Sequence, residues 1–331
     1  MSVDGDHTEE DLEGLSIDAA VDAVVADGDD RDPQAVRSAL GHVTADGVVS
    51  REAADGALDR AAEMIFTPET RAELAAVDLA DARERAAPVE DVDAVQTRLA
   101  ALETRVDAVE ERADALGPAL EDLLDRDPET ADLYDLGVAV QSLTEAANGV
   151  HRDADQLRFD IEDFEEWLGD PETRYSELNG DVDAVASSLD ELRAVPASLS
   201  KADGRAVAGD HAGEDARAVT WANATLRHRT LGLMLADLRA ELGDLRTLDD
   251  HEQTAGGDDA ASGDRIDARL DDLGTRLDAI GDELDDVADP AWRDRYADDV
   301  DAFEAELDRF EPPVDWGAIR AALREHSLDA A

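Results

Sequence analysis

Arg227-His228-Arg229 is the one local basic cluster in a chain with 30 lysines and arginines against 85 aspartates and glutamates. A histidine between two arginines can bind an anion or sense protons, and the guanidinium groups can clasp a partner's carboxylates or phosphates. The competing reading is internal. At helical spacing His228 falls on an apolar seam, where a polar residue fixes helix register, and the arginines pair with acids of neighbouring helices. Other chemistry is weaker. Asp46-Gly47-Val48-Val49 has the turn of a calcium loop, but His42 and Thr44 stand where the first ligands belong and Ala53 replaces the bidentate glutamate. The chain has no cysteine, which excludes thiol catalysis and thiolate metal sites. It shows no His-Glu-x-x-His pair, phosphate loop, nucleophile elbow or triad. The expectation is a non-enzyme with no catalytic, cofactor-binding or metal site.

The elements carrying these residues are long amphipathic helices. Val92, Val95, Leu99, Leu102, Val106, Val109, Ala113, Leu116, Leu120 and Leu123 form a heptad seam at alternating a and d positions. Arg98, Arg105 and Arg112 fall at g, and Gln96, Glu103 and Glu110 at e. A parallel homodimer would set Arg98 against Glu103 and Arg105 against Glu110 of a partner. A second seam from Leu133 to Leu168 follows after only a short connection, which favours a monomeric antiparallel hairpin within the chain over the dimer. Counted across that connection, Arg98 faces Asp160 and Arg105 faces Asp153, while Glu103 and Glu110 fall on the side of His151 and Arg158.

Composition bounds the rest. Aromatic residues are 4% of the chain and much of its apolar content is alanine, so the interior consists of narrow helix–helix seams rather than a wide core. A net charge of −55 opposes compaction in dilute buffer. Near 1 M salt the Debye length falls to about 3 Å and that repulsion largely disappears. Acid excess with Lys201 as the only lysine points to a halophilic, acidic, cytoplasmic protein. The longest aliphatic run, Leu231 to Leu235, is too short to span a membrane, and no signal-type stretch opens the chain.

Along the chain the reading is a disordered acidic tail over 1–13 and a small helical module over 14–87. A helical hairpin, coiled-coil region follows over 88–200, a linker over 201–216 and a long helix over 217–248. A second linker over 249–264 precedes C-terminal helices over 265–331. Ser16, Ser50 and the repeated Asp-Pro pairs at 32–33, 127–128, 170–171 and 289–290 are helix starts, as is Thr67-Pro68. The fold class is all-α: an elongated bundle of long antiparallel helices with a small N-terminal helical module. Asp170-Pro171 is read as a turn between two helices rather than a kink.

The order of the Leu15-Ser16 helix, Asp46-Gly47-Val48-Val49-Ser50, the heptads, Trp167-Leu168-Gly169-Asp170-Pro171-Glu172 and Trp221 to Arg229 resembles the haloarchaeal group called halo transducer proteins. The likeness spans about residues 12–247. It implies kinship with archaeal sensory transducers, whose cytoplasmic helical hairpins bind signalling kinases. The expectation is therefore a cytoplasmic scaffold or signalling-associated interaction protein that meets protein partners by helix packing. The alternative is an acidic nucleic-acid- or chromosome-associated factor acting through helices 16–66. There the third helix sets only Arg51 and Arg60 against Glu52, Asp55, Asp59 and Glu63, so the phosphate-binding contribution is weak.

Overall fold

Capping side chains set where the helices begin. The Ser16 and Ser50 hydroxyls accept from Ala19 N and Ala53 N. Asp32, Asp170 and Asp289 accept from Gln34 N, Glu172 N and Ala291 N, each just past a proline whose missing N–H costs nothing there. A computed structural model describes residues 12–27, 31–126, 131–203, 211–252 and 257–328. The helices are α1 (Ile17–Asp27), α2 (Pro33–His42), α3 (Arg51–Ala86), α4 (Asp93–Asp114), α5 (Leu116–Leu124) and α6 (Leu133–Gly169). They continue as α7 (Pro171–Asp203), α8 (His211–Glu252), α9 (Gly257–Val287), α10 (Pro290–Leu307) and α11 (Trp316–His326). The fold is all-α. Its one sheet among the described residues is a two-stranded hairpin, Thr44–Ala45 with Val48–Val49, between α2 and α3. Asp46 and Gly47 both take positive φ, 53° and 83°, which gives the tight reversal that a two-residue hairpin turn requires.

Several boundaries differ from the sequence reading. Thr67-Pro68 does not start a helix, because α3 runs through it. The buried stripe Ile65, Pro68, Ala72, Ala75, Leu79 and Ala82 is continuous across the proline. Packing along that stripe outweighs the roughly 3 kcal/mol cost of an interior proline. The seam from Val92 to Leu123 is divided at Ala115 into α4 and α5, three residues before Pro118, which lacks the N–H to bond Asp114. The seam side chains Val92, Val95, Leu99, Leu102, Val106, Val109 and Leu116 are all buried nonetheless. Helix extends into both expected linkers: α7 reaches Asp203 and α8 starts at His211, then α8 reaches Glu252 and α9 starts at Gly257, with 204–210 and 253–256 outside the described residues. Leu248 and Asp249 are buried, and Gly263 packs beside Tyr175, where an added Cβ would stand 3.4 Å from the hydroxyl. Of the tail expected over 1–13, residues 1–11 lie outside the described residues, as does the Asp127-Pro128 helix start, but Leu12 is buried and Glu13 accepts from Arg51 N at 2.9 Å, so the ordered chain begins earlier than read. α6 is capped by Asp132, which accepts from Tyr134 N at 2.8 Å. Asp170 alone separates α6 from α7, which are two helices as expected.

The helices sort into two units that cut across the expected domain boundaries: 1–85 with 99–164, and 86–98 with 165–331. In the first unit, α3 joins the α4–α6 hairpin. Arg71 and Asp78 of α3 bond Asp155 and Arg158 of α6, and Arg83 bonds Glu103 of α4. The antiparallel hairpin is present, but its ion pairs are displaced by one heptad. Arg105 bonds Asp160 and Arg112 bonds Asp153, in place of Arg98 with Asp160 and Arg105 with Asp153. Side chains on a helix lean toward its N-terminus. In an antiparallel pair an arginine nearer the turn leans away from it, and an aspartate farther off leans back toward it. The pair therefore forms across an offset that counting Cα positions misses. Glu103 faces α3 rather than His151 and Arg158, because Arg158 is taken by Asp78 and His151 lies 3.5 Å from Asp155.

In the second unit α7, α8 and α9 form a three-helix bundle, with α10 and α11 against α8. Leu178, Leu189 and Leu192 of α7, Leu235, Leu238 and Leu242 of α8, and Ile266, Leu270 and Leu273 of α9 fill it. Arg269 and Arg276 of α9 bond Asp183 and Asp190 of α7, and Arg246 of α8 bonds Asp267 of α9 at 2.9 Å.

Two helical glycines give opposite expectations. A Cβ on Gly137 would lie 2.5 Å from the Ala39 carbonyl oxygen, so α6 touches the backbone of α2 there. A Cβ on Gly149 would meet only the mobile end of Arg112. Gly137→Ala is expected to lose about 1–3 kcal/mol through forced separation of the two helices. Gly149→Ala is expected to gain up to about 1 kcal/mol from helix propensity. Urea unfolding of the two variants in molar KCl reads both; a gain for Gly137→Ala would contradict this close approach.

Candidate functional site

The basic tripeptide is consumed by the protein itself. Successive helical residues point about 100° apart, so the three residues meet three different helices. Arg227 bonds Glu191 of α7 at 3.1 Å, His228 Nε2 lies 3.0 Å from the Leu277 carbonyl of α9, and Arg229 bonds Glu304 of α10 at 2.6 Å. A carbonyl only accepts, so His228 carries its proton on Nε2. Burial holds this imidazole below its ordinary pKa, against the opposing effect of the Leu277 bond. A Cβ on Gly281 would stand 2.8 Å from His228 Nε2, so the glycine makes room for the ring. His228 is tucked between α8 and α9, while the two arginine pairs lie at the exposed rim of the bundle, and the contacts of all three residues follow the internal reading. Among the described residues no group of three or more histidines or carboxylates is arranged to hold a metal ion.

Arg98 sits apart from the rest of its ladder. Its guanidinium lies over the Trp167 ring, 4.2 Å from the centroid, and reaches Glu177 at 3.0 Å and Glu241 at 3.5 Å. Asp181 and Asp237 complete an acidic surround. Burial pushes the Glu241 carboxyl up to about 7; Arg98 opposes that shift, and Asp181, Glu177 and Asp237 reinforce it. Burial also raises Asp181, again with Glu177 assisting and Arg98 opposing.

A second charged group is fully enclosed. Arg174, buried at the start of α7, donates to the Leu168 carbonyl at 2.7 Å and to Asp249 near the end of α8 at 3.1 Å. The Tyr175 hydroxyl donates to the other oxygen of Asp249 at 2.8 Å, and burial followed by this neighbour raises the phenol well above its ordinary range. The sequence reading missed this triad because Asp249 stood at the edge of an assigned linker.

What faces outward is on α3. Phe66 is 70% exposed, Val77 55% and Leu74 44%. Phe66 and Val77 are three helical turns apart and lie within about 20° of one another around the helix, with Leu74 flanking them. On the same side stand the exposed acids Glu52, Asp55, Asp59, Glu63, Glu73, Asp81 and Glu84. Phe159 of α6, 61% exposed, follows Arg158, whose guanidinium bonds Asp78, which follows Val77. Sequence periodicity had the signal, since Phe66 and Val77 fall out of phase with the buried stripe of α3, but dividing the helix at Thr67 hid it. No helix among the described residues is long and apolar enough to cross a membrane. Compared with models of protein families, with curated proteins and with solved structures, the chain matches none of them.

Proposed function

We propose that the protein is a non-enzymatic helical scaffold or signalling-associated interaction protein of a salt-rich cytoplasm, meeting protein partners through helix packing. The observation that carries this reading is the outer face of α3, where Phe66, Leu74 and Val77 stay in solvent while the seams of both units are closed. Large apolar side chains grouped on one exposed face mark interaction surfaces. The sensory part of the reading rests on the resemblance to the halo transducer group. Less favoured is the nucleic-acid alternative: Arg37 bonds Asp18, Arg51 bonds Glu13 and donates to the Ala131 carbonyl at 2.9 Å, and the exposed Arg60 shares its helix with the exposed acids Glu52, Asp55, Asp59 and Glu63. Affinity capture from a haloarchaeal lysate at native salt separates the two. Recovery of signalling kinases or receptors supports the proposal; recovery of DNA with transcription proteins overturns it.

A further inference from the structure

We infer that the outer face of α3 docks a cationic amphipathic helix, with Phe66 and Val77 as its apolar anchors. The inference rests on the interaction-protein reading and specifies the chemistry of the partner. Three observations select this occupant. First, the apolar pair lies inside a stripe whose exposed charged members, Glu52, Asp55, Asp59, Glu63, Glu73, Asp81 and Glu84, are all acidic. The arginines of α3 stand outside the stripe: Arg51, Arg60 and Arg85 lie about 80–100° around the helix from Val77, and farther round Arg71 bonds Asp155 and Arg83 bonds Glu103. Second, a copy of this chain is the wrong partner. An isologous contact would lay this acidic stripe on itself, because each residue of such an interface meets the same patch. Like charges so placed are repulsive at short range even where salt screens the longer-range field. Third, the chain's own remaining segments, 1–11, 28–30, 127–130, 204–210, 253–256 and 329–331, hold Arg205 as their one arginine or lysine. They cannot supply a basic complement to seven carboxylates.

A helix laid along α3 would place one bulky apolar residue against Phe66 and another three turns on against Val77, with Leu74 flanking them. Arginines or lysines on either flank would meet the acids. This is helix-in-groove recognition, with apolar anchors giving affinity and the charged rim giving orientation and partner choice.

The test uses the full chain and a synthetic probe. A labelled peptide of leucines at helical spacing separated by arginines is titrated with the protein in 0.15 M and 1 M KCl and followed by fluorescence anisotropy. A scrambled peptide of identical composition is the control for attraction to an acidic chain in general. The patterned peptide is expected to bind at least about tenfold tighter than the scrambled one, and to keep that preference at 1 M KCl, where unspecific attraction fades. Phe66→Ser with Val77→Ser should abolish the preference, whereas Leu124→Ser, at an exposed apolar position on α5, should leave it intact. Circular dichroism verifies that the variants keep their helix content. Equal binding of the two peptides overturns the proposal, as does a preference that survives loss of Phe66 and Val77. Light scattering of the protein alone adds one more outcome: a dimer that disappears in Phe66→Ser/Val77→Ser would assign the face to a second copy and also overturn it. None of these readouts depends on what the lysate capture recovers, so this inference and the broader reading fail separately.

Discussion

Arg174→Ala is expected to be the most damaging single substitution in the second unit, lowering its stability by about 3–5 kcal/mol. The wild-type side chain is fully buried and bonds both the Leu168 carbonyl and the Asp249 carboxylate. Removing it leaves Asp249 enclosed at the end of α8 with Tyr175 as its remaining donor partner from this triad. A buried charge stripped of its counter-ion is far costlier than a buried pair is beneficial. The same physics gives a second arm. Replacing the whole group with apolar residues of similar size (Arg174→Met, Tyr175→Phe and Asp249→Leu together) should recover most of the loss. Urea unfolding in molar KCl measures both. If Arg174→Ala unfolds at the wild-type midpoint, the triad does not tie α7 to α8.

Glu241 should make stability depend on pH in the sense opposite to an ordinary ion-paired carboxylate. Its folded-state pKa is raised, to about 7 from the usual 4.5, so the folded protein binds this proton more tightly than the unfolded chain does. Stability contributed by the group is therefore present at low pH and lost as pH rises through about 7, with the full cost carried above that. Glu241→Gln removes the titration and keeps the shape. It is expected to stabilise the protein by about 3 kcal/mol at pH 8 and by less than about 1 kcal/mol at pH 5. His228, held low by burial, works in the other direction at acid pH, and Asp181 works in the same direction as Glu241. The difference between variant and wild type across pH separates Glu241, with its coupling to Asp181, from His228. A difference that stays flat from pH 5 to pH 8 would contradict the burial of this carboxyl beside Arg98.

Much of the architecture was legible because it is written in short-range rules. Ser16, Asp32, Ser50, Asp170 and Asp289 cap helices as their types and neighbours imply. The second seam is buried at every position from Leu133 to Leu168. What failed was long-range. The proline rule reads Thr67-Pro68 as a start, but it cannot weigh the buried stripe that carries α3 through. Heptad counting finds the antiparallel partner of α4, yet displaces its ion pairs by one heptad because it ignores the lean of side chains. Counting two helices at a time also cannot see a third, and Arg83 and Asp78 of α3 take Glu103 and Arg158. Heptad counting pairs Arg98 with Asp160, but it sits over Trp167 between Glu177 and Glu241, residues 69 to 143 positions further along the chain. The basic tripeptide was correctly placed on α8, and only the fold shows that each of its members has a different helix to bind.

The central claim is that the seam of α4 finds its partner within the same chain. The chain has no cysteine, so Arg105→Cys with Asp160→Cys provides the two thiols needed for a short bis-maleimide cross-link. Mixing ¹⁵N-labelled and unlabelled protein in molar KCl before cross-linking, then weighing the joined peptides by mass spectrometry, distinguishes the arrangements. Linked 105–160 peptides are expected to be wholly light or wholly heavy. Mixed-isotope peptides at about half of the total, the random proportion for subunits that exchange freely in a dimer, would contradict it.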